Sequence, residues 1–302
     1  MTNQLKGDAF SNRYRITGTL TAVSPLHIGT GDERPMEFRS EEERKKIIEK
    51  TGKVPNISTI ITDHRGKPLI PGSTLRGVLR NWLLTVLEGI GTQWAVERDY
   101  SELLDRDQAK QIQQVRDTFS HLELLFGTPL NAGKVEVWDA TCITGDLQIA
   151  NDRLLGWDGT RLTYVDTSVA IDPARGIAKD KLLYKADVVP PGATFELNIA
   201  AQNLSDEELG LVLLALEGFN SQIYPIQVGA RGGRGYGRMK FEMCAIYRLE
   251  CDGVKKWIKE TLQARTTDKA PAGYFGLPKL DEAEQEQKIK DVKNKLIAAM
   301  RG

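Results

Sequence analysis

The sequence is poor in the residues that build metal centres and disulfide frameworks. Its 302 residues include three cysteines and three histidines, and Cys142, Cys244 and Cys251 form no Cys-x-x-Cys pair. We therefore expect neither a zinc site nor a disulfide framework, and this usage is typical of a reducing cytoplasm. The chain also lacks a charged-then-apolar leader pattern and an uninterrupted apolar run of roughly 18 residues, so we expect neither export nor membrane insertion.

The chain also lacks an excess charge of either sign. Its 41 basic and 41 acidic residues cancel, which excludes a protein-wide field that would attract a polyanion. A nucleic-acid site would therefore have to be a local basic patch. With 40% hydrophobic residues, the chain can bury a substantial core in one large domain or two smaller ones.

The most informative stretch is Gly229 to Arg238, in which arginines alternate with glycines. Glycines allow positive φ and a close approach of the backbone to a ligand, and guanidinium groups bind phosphate oxygens. The stretch lacks the Gly-Lys-Ser/Thr ending of a Walker A loop and precedes a strand-like run, which argues against a dinucleotide fingerprint. It predicts a nucleic-acid contact through Arg231 and Arg234, with Tyr236 as a stacking ring. The alternative is a long flexible turn.

A second candidate site follows the first predicted strand. Tyr14 to Val23 alternates apolar and polar residues, as in a half-buried strand. It leads into Leu26-His27-Ile28-Gly29-Thr30-Gly31, where two glycines allow a tight, ligand-facing loop. His27 is placed to contact a phosphate or a base, and a hydrogen-bonded structural histidine fits the position equally well.

The third candidate site is the start of a predicted amphipathic helix after Gly72. Apolar residues recur there at intervals of three and four, and Ser73 or Thr74 is the predicted N-cap. Arg76 and Arg80 lie four residues apart on the exposed face, off the apolar stripe. Backbone N–H groups, the helix dipole and two guanidinium groups would then form an anion site. The alternative is an ordinary solvated helix face.

The remaining pattern predicts an α+β fold. A capping box at Ser205 and Glu208 starts a second helix that ends at Gly218, and a core strand follows from Met239. The resulting order of strand, helix, strands, helix, strand predicts a ferredoxin-like (RNA-recognition-motif-like) core.

Three further segments are predicted outside this core. Residues 33–60 are a charged insertion, and residues 151–197 contain a protruding β-hairpin, because a long structureless loop is uncommon in a compact domain. Residues 252–302 are predicted to be a linker and a C-terminal helical appendage, the helix running from Asp281 to Met300.

Three motifs occur together in a fixed order: Leu26-His27-Ile28-Gly29-Thr30-Gly31, Ile70-Pro71-Gly72-Ser73-Thr74-Leu75-Arg76-Gly77 and Gly232-Gly233-Arg234-Gly235-Tyr236-Gly237. Each motif is weak alone, but the ordered set resembles the RAMP superfamily of CRISPR-Cas proteins over about residues 13–250. Leu125-Phe126-Gly127 and the Trp138-Asp139-Ala140 strand are also similar to it. Within the superfamily, the chain is most similar to the backbone subunits of type III effectors, in the Csm and Cmr complexes.

This resemblance implies a guide-RNA-binding subunit that acts in antiviral defence. Its implied partners are guide RNA, target RNA and neighbouring effector subunits, with no membrane association. The implied RNA contacts are His27, Ser73, Arg76, Arg80, Arg231 and Arg234, to which the residue pattern adds Tyr236 as the stacking ring. The family's thumb hairpin, which wedges between guide and target bases, falls on roughly Val165 to Lys185 and carries Ile171, Pro173, Arg175 and Lys179.

Two enzymatic alternatives stay open, and a scaffold that binds only protein is a third class. The first enzyme is a metal-independent endoribonuclease that cuts precursor guide RNA with His27 as general base. The second cleaves target RNA with a metal ion and an aspartate between the histidine and the first helix. In the family that the chain resembles, this aspartate corresponds to a position near Asn56 and Ile57, and neither residue is acidic. Asp32 is then a weak candidate for the catalytic acid. The resemblance therefore favours a binding subunit without a cofactor, with Mg²⁺ needed only if target cleavage occurs.

Overall fold

The chain folds into a mixed α+β structure with several antiparallel strand pairs. A computed structural model describes residues 4–38, 40–52, 54–100, 116–145, 147, 156–171, 178–264 and 276–301. In chain order its strands and helices are β1 (Asn12–Ala22), β2 (Gly29–Pro35), α1 (Glu41–Thr51), β3 (Asn56–Ile60), β4 (Leu69–Ile70), α2 (Gly72–Leu87), α3 (His121–Phe126), β5 (Val135–Val137), β6 (Ala140–Thr141), β7 (Tyr164–Ile171), β8 (Ala178–Val188), β9 (Thr194–Gln202), α4 (Asp206–Glu217), β10 (Met239–Glu250), α5 (Val254–Ala264) and α6 (Glu282–Met300).

Four strands form the main sheet in the order β10-β1-β9-β5, and each neighbouring pair is antiparallel. The alternation predicted for the first strand is confirmed, because Tyr14, Ile16 and Leu20 are buried whereas Arg13 and Arg15 are only half-buried. The buried side chains of β1 join those of α2 and α4 in one hydrophobic core. The chain passes from β1 through α2 to β5, and from β9 through α4 to β10, so a helix covers each crossover.

A second sheet has the order β2-β3-β8-β7, with β3 and β8 parallel and the two outer pairs antiparallel. The end of β2 and all of β3 come from the predicted insertion, and β7 and β8 come from the predicted hairpin region. Met36, Ile57 and Val165 are buried in a small core of their own, against which Phe38 and Ile47 pack. The insertion is therefore packed against the base of the β7–β8 pair.

A fully buried carboxylate fixes this second sheet. Asp187 on β8 is 0% exposed and accepts hydrogen bonds from Arg34 on β2, at 3.2 Å from Nε and 3.0 Å from Nη2. Nη1 of Arg161 lies 3.4 Å from the same carboxylate. A buried charge is tolerated only when it is paired and hydrogen-bonded. Arg34 therefore holds the insertion against β8, and Arg161 holds the segment before β7 against the same strand.

The helix ends confirm one predicted cap and correct another. The capping box of Ser205 and Glu208 is present, and α4 ends just before Gly218. The prediction that Ser73 or Thr74 caps α2 is wrong, because the helix begins at Gly72. A carboxylate from the connection between β5 and β6 accepts the first backbone N–H of the helix instead. Asp139 Oδ1 accepts the Gly72 N–H at 2.7 Å.

The C-terminal region contains one helix more than the sequence predicts. The segment predicted to be a linker includes the helix α5. The predicted helix α6 is observed with Asp281 as its N-cap, and it packs on α4. Val292 and Leu296 of α6 are buried in the main core, and Lys288 lies 2.7 Å from Asp206 at the start of α4. None of the helices in the described ranges has the length and apolar content needed to span a bilayer.

A buried ion pair links the residue before β5 to α4 and provides a test of the fold. Lys134 Nζ lies 2.7 Å from both carboxylate oxygens of Glu208, and the two side chains are 3% and 2% exposed. We expect Lys134→Met to lower the free energy of unfolding by about 3–5 kcal/mol, since it leaves a buried charge without its partner. Lys240→Met is the control, because its pair with Glu242 is exposed, and we expect a change below about 1 kcal/mol. Urea titrations that gave equal losses would contradict this account.

Candidate nucleic-acid interface

The glycine-rich loop, residues 229–238, lies directly on the loop that follows β1. Backbone hydrogen bonds run from the Gly237 N–H to the Pro25 carbonyl at 2.9 Å and from the Ala230 N–H to the His27 carbonyl at 2.8 Å. The Arg238 N–H also donates to Ser24 Oγ at 3.0 Å. Two of the three predicted sites are therefore brought together by main-chain contacts.

Glycine is required at particular points of this loop. Gly229, Gly235 and Gly237 have positive φ values of 81°, 83° and 76°. A Cβ on Gly229 would lie 2.4 Å from the His27 carbonyl oxygen, and one on Gly237 would lie 2.0 Å from the Val228 carbonyl oxygen. The close approach that the sequence predicted is thus made by the protein's own backbone at these two positions.

Arg231 does not present a free guanidinium group. Its Nη1 atom lies 3.3 Å from Asp166 Oδ2 on β7, and its guanidinium carbon lies 6.0 Å from the centre of the Tyr236 ring. Burial, a hydrogen bond to Asp166 and the charge of that carboxylate raise the pKa of Tyr236 to about 12. Arg231, Tyr236 and Asp166 therefore form one cluster that links the glycine-rich loop to β7.

The outward-facing positive charge of the loop comes from two other residues. Arg234 and Arg238 are exposed. Among the described residues, neither side chain has an ion-pair or hydrogen-bond partner. Their guanidinium groups are available for a polyanion, and such groups make strong, charge-assisted hydrogen bonds to phosphate.

His27 is buried, with 5% of its surface exposed. Its Nδ1 atom lies 2.7 Å from the Asp187 backbone oxygen, which requires that this nitrogen donates, because a carbonyl oxygen can only accept. The hydrogen-bonded structural role is therefore present in the fold. Through this bond the His27 ring links the loop after β1 to β8.

The start of α2 is less open than the sequence suggested. Ser73 is exposed, but the Gly72 N–H is already bonded to Asp139 and a Cβ on Gly72 would lie 2.2 Å from the Val137 carbonyl oxygen. A protein carboxylate thus occupies part of the predicted anion site. No hydrogen bond or ion pair within the described ranges joins this helix start to the two loops.

The two arginines of α2 are half-buried, which corrects the prediction of an exposed pair. Arg76 Nη2 donates to the Phe126 carbonyl, and its guanidinium carbon lies 5.8 Å from the centre of the Phe126 ring. Burial and the positive charge of Arg80 lower the pKa of Arg76. Arg76 is therefore engaged by the protein, and Arg80 carries the charge nearest to it.

The predicted thumb corresponds in part to the β7–β8 pair. Ile171 ends β7 and is paired with Ala178, and Lys179 lies in β8. Pro173 and Arg175 lie outside the described residues.

The predicted catalytic position is not acidic, and Asp32 lies on the strand that pairs with it, 24 residues earlier in the chain. Asp32 is exposed on β2, and its backbone carbonyl accepts the Thr59 hydroxyl at 3.2 Å. Asn56 donates to Glu33 Oε2 at 2.9 Å, and Ile57 is buried. Within the described part of the chain, no three His, Cys, Asp or Glu side chains are placed to hold a metal ion.

Sequence reasoning missed the carboxylates that complete these sites. Asp139 caps α2, Asp166 pairs with Arg231, and Asp187 anchors Arg34 and receives the His27 hydrogen bond through its carbonyl. Asp139 lies in a strand motif quoted from the sequence, and Asp166 lies within the segment predicted to be the thumb. No local signal identifies their partners, because each partner is distant in the chain.

A family model for the RAMP superfamily matches residues 19–240, which is more than half of the chain. The match runs from within β1 to the first residues of β10 and includes the glycine-rich loop, the loop after β1 and α2. No curated protein matches the chain.

The glycine requirement at the interface can be tested with a matched pair of variants. We expect Gly237→Ala to destabilise the protein by about 1–3 kcal/mol, because the new Cβ would overlap a backbone oxygen at a positive φ. Gly233→Ala is the control, since its Cβ would have no neighbour within 4 Å, and we expect a change within about 0.5 kcal/mol. The measurement is thermal unfolding followed by circular dichroism, and equal melting temperatures for both variants would contradict the requirement.

Proposed function

Because the chain belongs to the RAMP superfamily, we propose that it is a guide-RNA-binding backbone subunit of a type III CRISPR-Cas effector complex. Membership of this family implies a role in CRISPR-associated complexes that bind RNA and contain several subunits. The observation that carries the finer proposal is the placement of the glycine-rich loop. Its exposed Arg234 and Arg238 are held on the loop after β1 by backbone hydrogen bonds.

We take the main sheet to be a ferredoxin-like core. Its strands occur in the chain as β1, β5, β9 and β10, with α2 and α4 as the two connecting helices, which is the order of that fold. Residues 13–250 would form the RNA-binding domain. In this proposal α6 extends the core on the side of α4 and does not contact RNA.

Phosphate contacts carry the proposed binding. Arg234 and Arg238 supply exposed guanidinium groups, and Arg80 and the exposed Ser73 supply donors at α2. Contacts to phosphates set position but carry no base code, so pairing with the guide would read the target sequence. His27 acts in this scheme through the loop that it holds, because its ring is buried.

The β7–β8 pair is the proposed thumb, a wedge between guide and target bases. Its base is fixed by the Asp187–Arg34 contact and by the cluster of Arg231, Tyr236 and Asp166. A rigid base is what a wedge requires, because inserting apolar atoms between bases costs unstacking energy. Residues 172–177, where Pro173 and Arg175 lie, are outside the described chain.

We propose binding without cleavage. The endoribonuclease alternative needs His27 within hydrogen-bond reach of the attacking hydroxyl, and burial of the ring with Nδ1 engaged argues against it. Target slicing needs a carboxylate near the scissile phosphate, and Asn56 and Ile57 offer none at the expected position.

Arg234→Ala should weaken RNA binding by a similar factor for unrelated sequences, since the lost contact is to phosphate. For single-stranded RNA, the slope of log K against log salt should become shallower by about 0.7, the value for one phosphate contact. Lys293→Ala on the exposed surface of α6 is the control and should leave the slope unchanged. Fluorescence anisotropy at several salt concentrations measures both. An unchanged slope for Arg234→Ala would remove this residue from the interface.

Cleavage is tested by assembling the effector with guide, adding target RNA and Mg²⁺, and mapping cuts opposite this subunit. We expect none with the wild-type chain, because the expected catalytic position lacks a carboxylate. A cut that is present in the wild type and lost in Asp32→Ala would show that Asp32 is catalytic and that the non-slicing proposal is wrong.

A further inference from the structure

A cavity of about 410 Å³ opens between the second sheet and the segment that precedes β7. The insertion contributes Arg34, Glu37 and Phe38 to its wall, and the segment before β7 contributes Trp157, Gly159 and Arg161. The volume is in the range of sites that hold small organic groups. None of the RNA contacts proposed above lies in it.

The hydrogen-bond donors that line this cavity are two arginines held by a buried carboxylate. Arg34 and Arg161 both line it, and both contact the buried carboxylate of Asp187. Arg34 uses Nε and Nη2 for that contact. Arg161 uses only Nη1, at 3.4 Å, and in the part of the chain that the structure describes its Nε and Nη2 make no hydrogen bond. Arg161 therefore offers a pre-positioned pair of donors to an occupant.

The charges of the lining select the kind of occupant. Two arginines line the cavity together with two carboxylates, Glu37 and Asp158, so the lining has no net charge. Asp158 Oδ1 accepts the backbone N–H groups of Thr160 and Arg161, whereas the Glu37 side chain is 92% exposed and lies 3.6 Å from Arg34. A phosphate alone would bind weakly in such a cavity, because the two carboxylates repel it while the two arginines attract it. A neutral planar group with both donors and acceptors would satisfy it.

Two aromatic rings in the wall of the cavity also favour a planar occupant. Trp157 and Phe38 are half-buried and line the cavity, with Trp157 packed on the main core and Phe38 on the small core of the second sheet. Rings that are anchored on one side and open on the other are suited to stacking with a nucleobase.

We propose that this cavity binds a nucleobase extruded from single-stranded RNA, with guanine preferred. The inference rests on the proposed RNA-binding function and adds a base-reading site to it. Two parallel donors of an arginine match the O6 and N7 acceptors of guanine. The amine donors of the same base can reach a carboxylate, and Glu37 is positioned at the wall to accept them. The charged insertion then has a role, since it supplies four of the residues that line the site, Ile57 among them.

The test compares two short labelled RNAs, an oligouridine and the same RNA with one central guanosine, by fluorescence anisotropy with the full chain. We expect the guanosine RNA to bind about tenfold more tightly, as one bidentate contact provides. Gly159→Leu should abolish this difference while retaining oligouridine binding. A Cβ there would contact the Trp157 ring, with Nε1 nearest at 3.5 Å, and both residues line the cavity, so the larger side chain should take up space that a base needs. Arg161→Gln, which leaves Asp187 its Arg34 partner, should have the same effect.

Gly7→Leu is the matched control, since a Cβ at Gly7 has no neighbour within 4 Å, and it should keep the preference. Equal binding of the two RNAs by the wild type, or a preference that survives both Gly159→Leu and Arg161→Gln, would overturn the base site while leaving the proposed function intact. Failure of the wild type to bind either RNA would overturn the proposed function itself. If Gly159→Leu fails to fold by circular dichroism, Arg161→Gln decides the outcome.

Discussion

The candidate interface depends on one short backbone segment, Ser24 to Gly29. The carbonyls of Pro25 and His27 accept hydrogen bonds from the glycine-rich loop, and Leu26 exchanges two backbone hydrogen bonds with Val189 just after β8. The same segment continues β1 of the main sheet into β2 of the second sheet. Because these contacts use main-chain groups, they persist through most side-chain changes but require the segment to keep its conformation. This segment therefore sets the positions of the main sheet, the β7–β8 pair and the glycine-rich loop relative to one another.

Features that depend on neighbouring residues could be predicted from the sequence. The alternation of β1, the capping box of Ser205 and Glu208 and the start of a strand at Met239 each depend on side chains a few positions apart. Positive φ in the glycine-rich loop was also predictable, because glycines mark such positions. The family itself was predictable because three weak motifs occur in a fixed order, and a family match over residues 19–240 confirms it.

The carboxylates of the interface could not be predicted, because their partners are distant in sequence. Asp139 reaches Gly72 across 67 residues, Asp166 reaches Arg231 across 65, and Asp187 reaches Arg34 across 153. A sequence pattern shows that each residue is polar, but only the fold decides which donor it meets. In a chain with no net charge, such pairings decide which cations of the predicted site remain open to solvent. Of the four arginines predicted to contact RNA, one is paired with a carboxylate and one donates to a backbone carbonyl. The other two, Arg80 and Arg234, make no side-chain hydrogen bond or ion pair within the described residues.

The cap of α2 has a consequence for how the chain is made. The first turns of α4 and α6 are closed by residues of their own segments, Ser205 with Glu208 and Asp281 with Glu284. The first N–H of α2 is instead satisfied by Asp139, which is synthesised 67 residues after Gly72. A nascent chain that ends before this aspartate contains the α2 sequence, but the Gly72 N–H has no carboxylate to accept its hydrogen bond. Synthesis of the segment after β5 therefore marks the point at which the first helix of the core can take its final form on the ribosome.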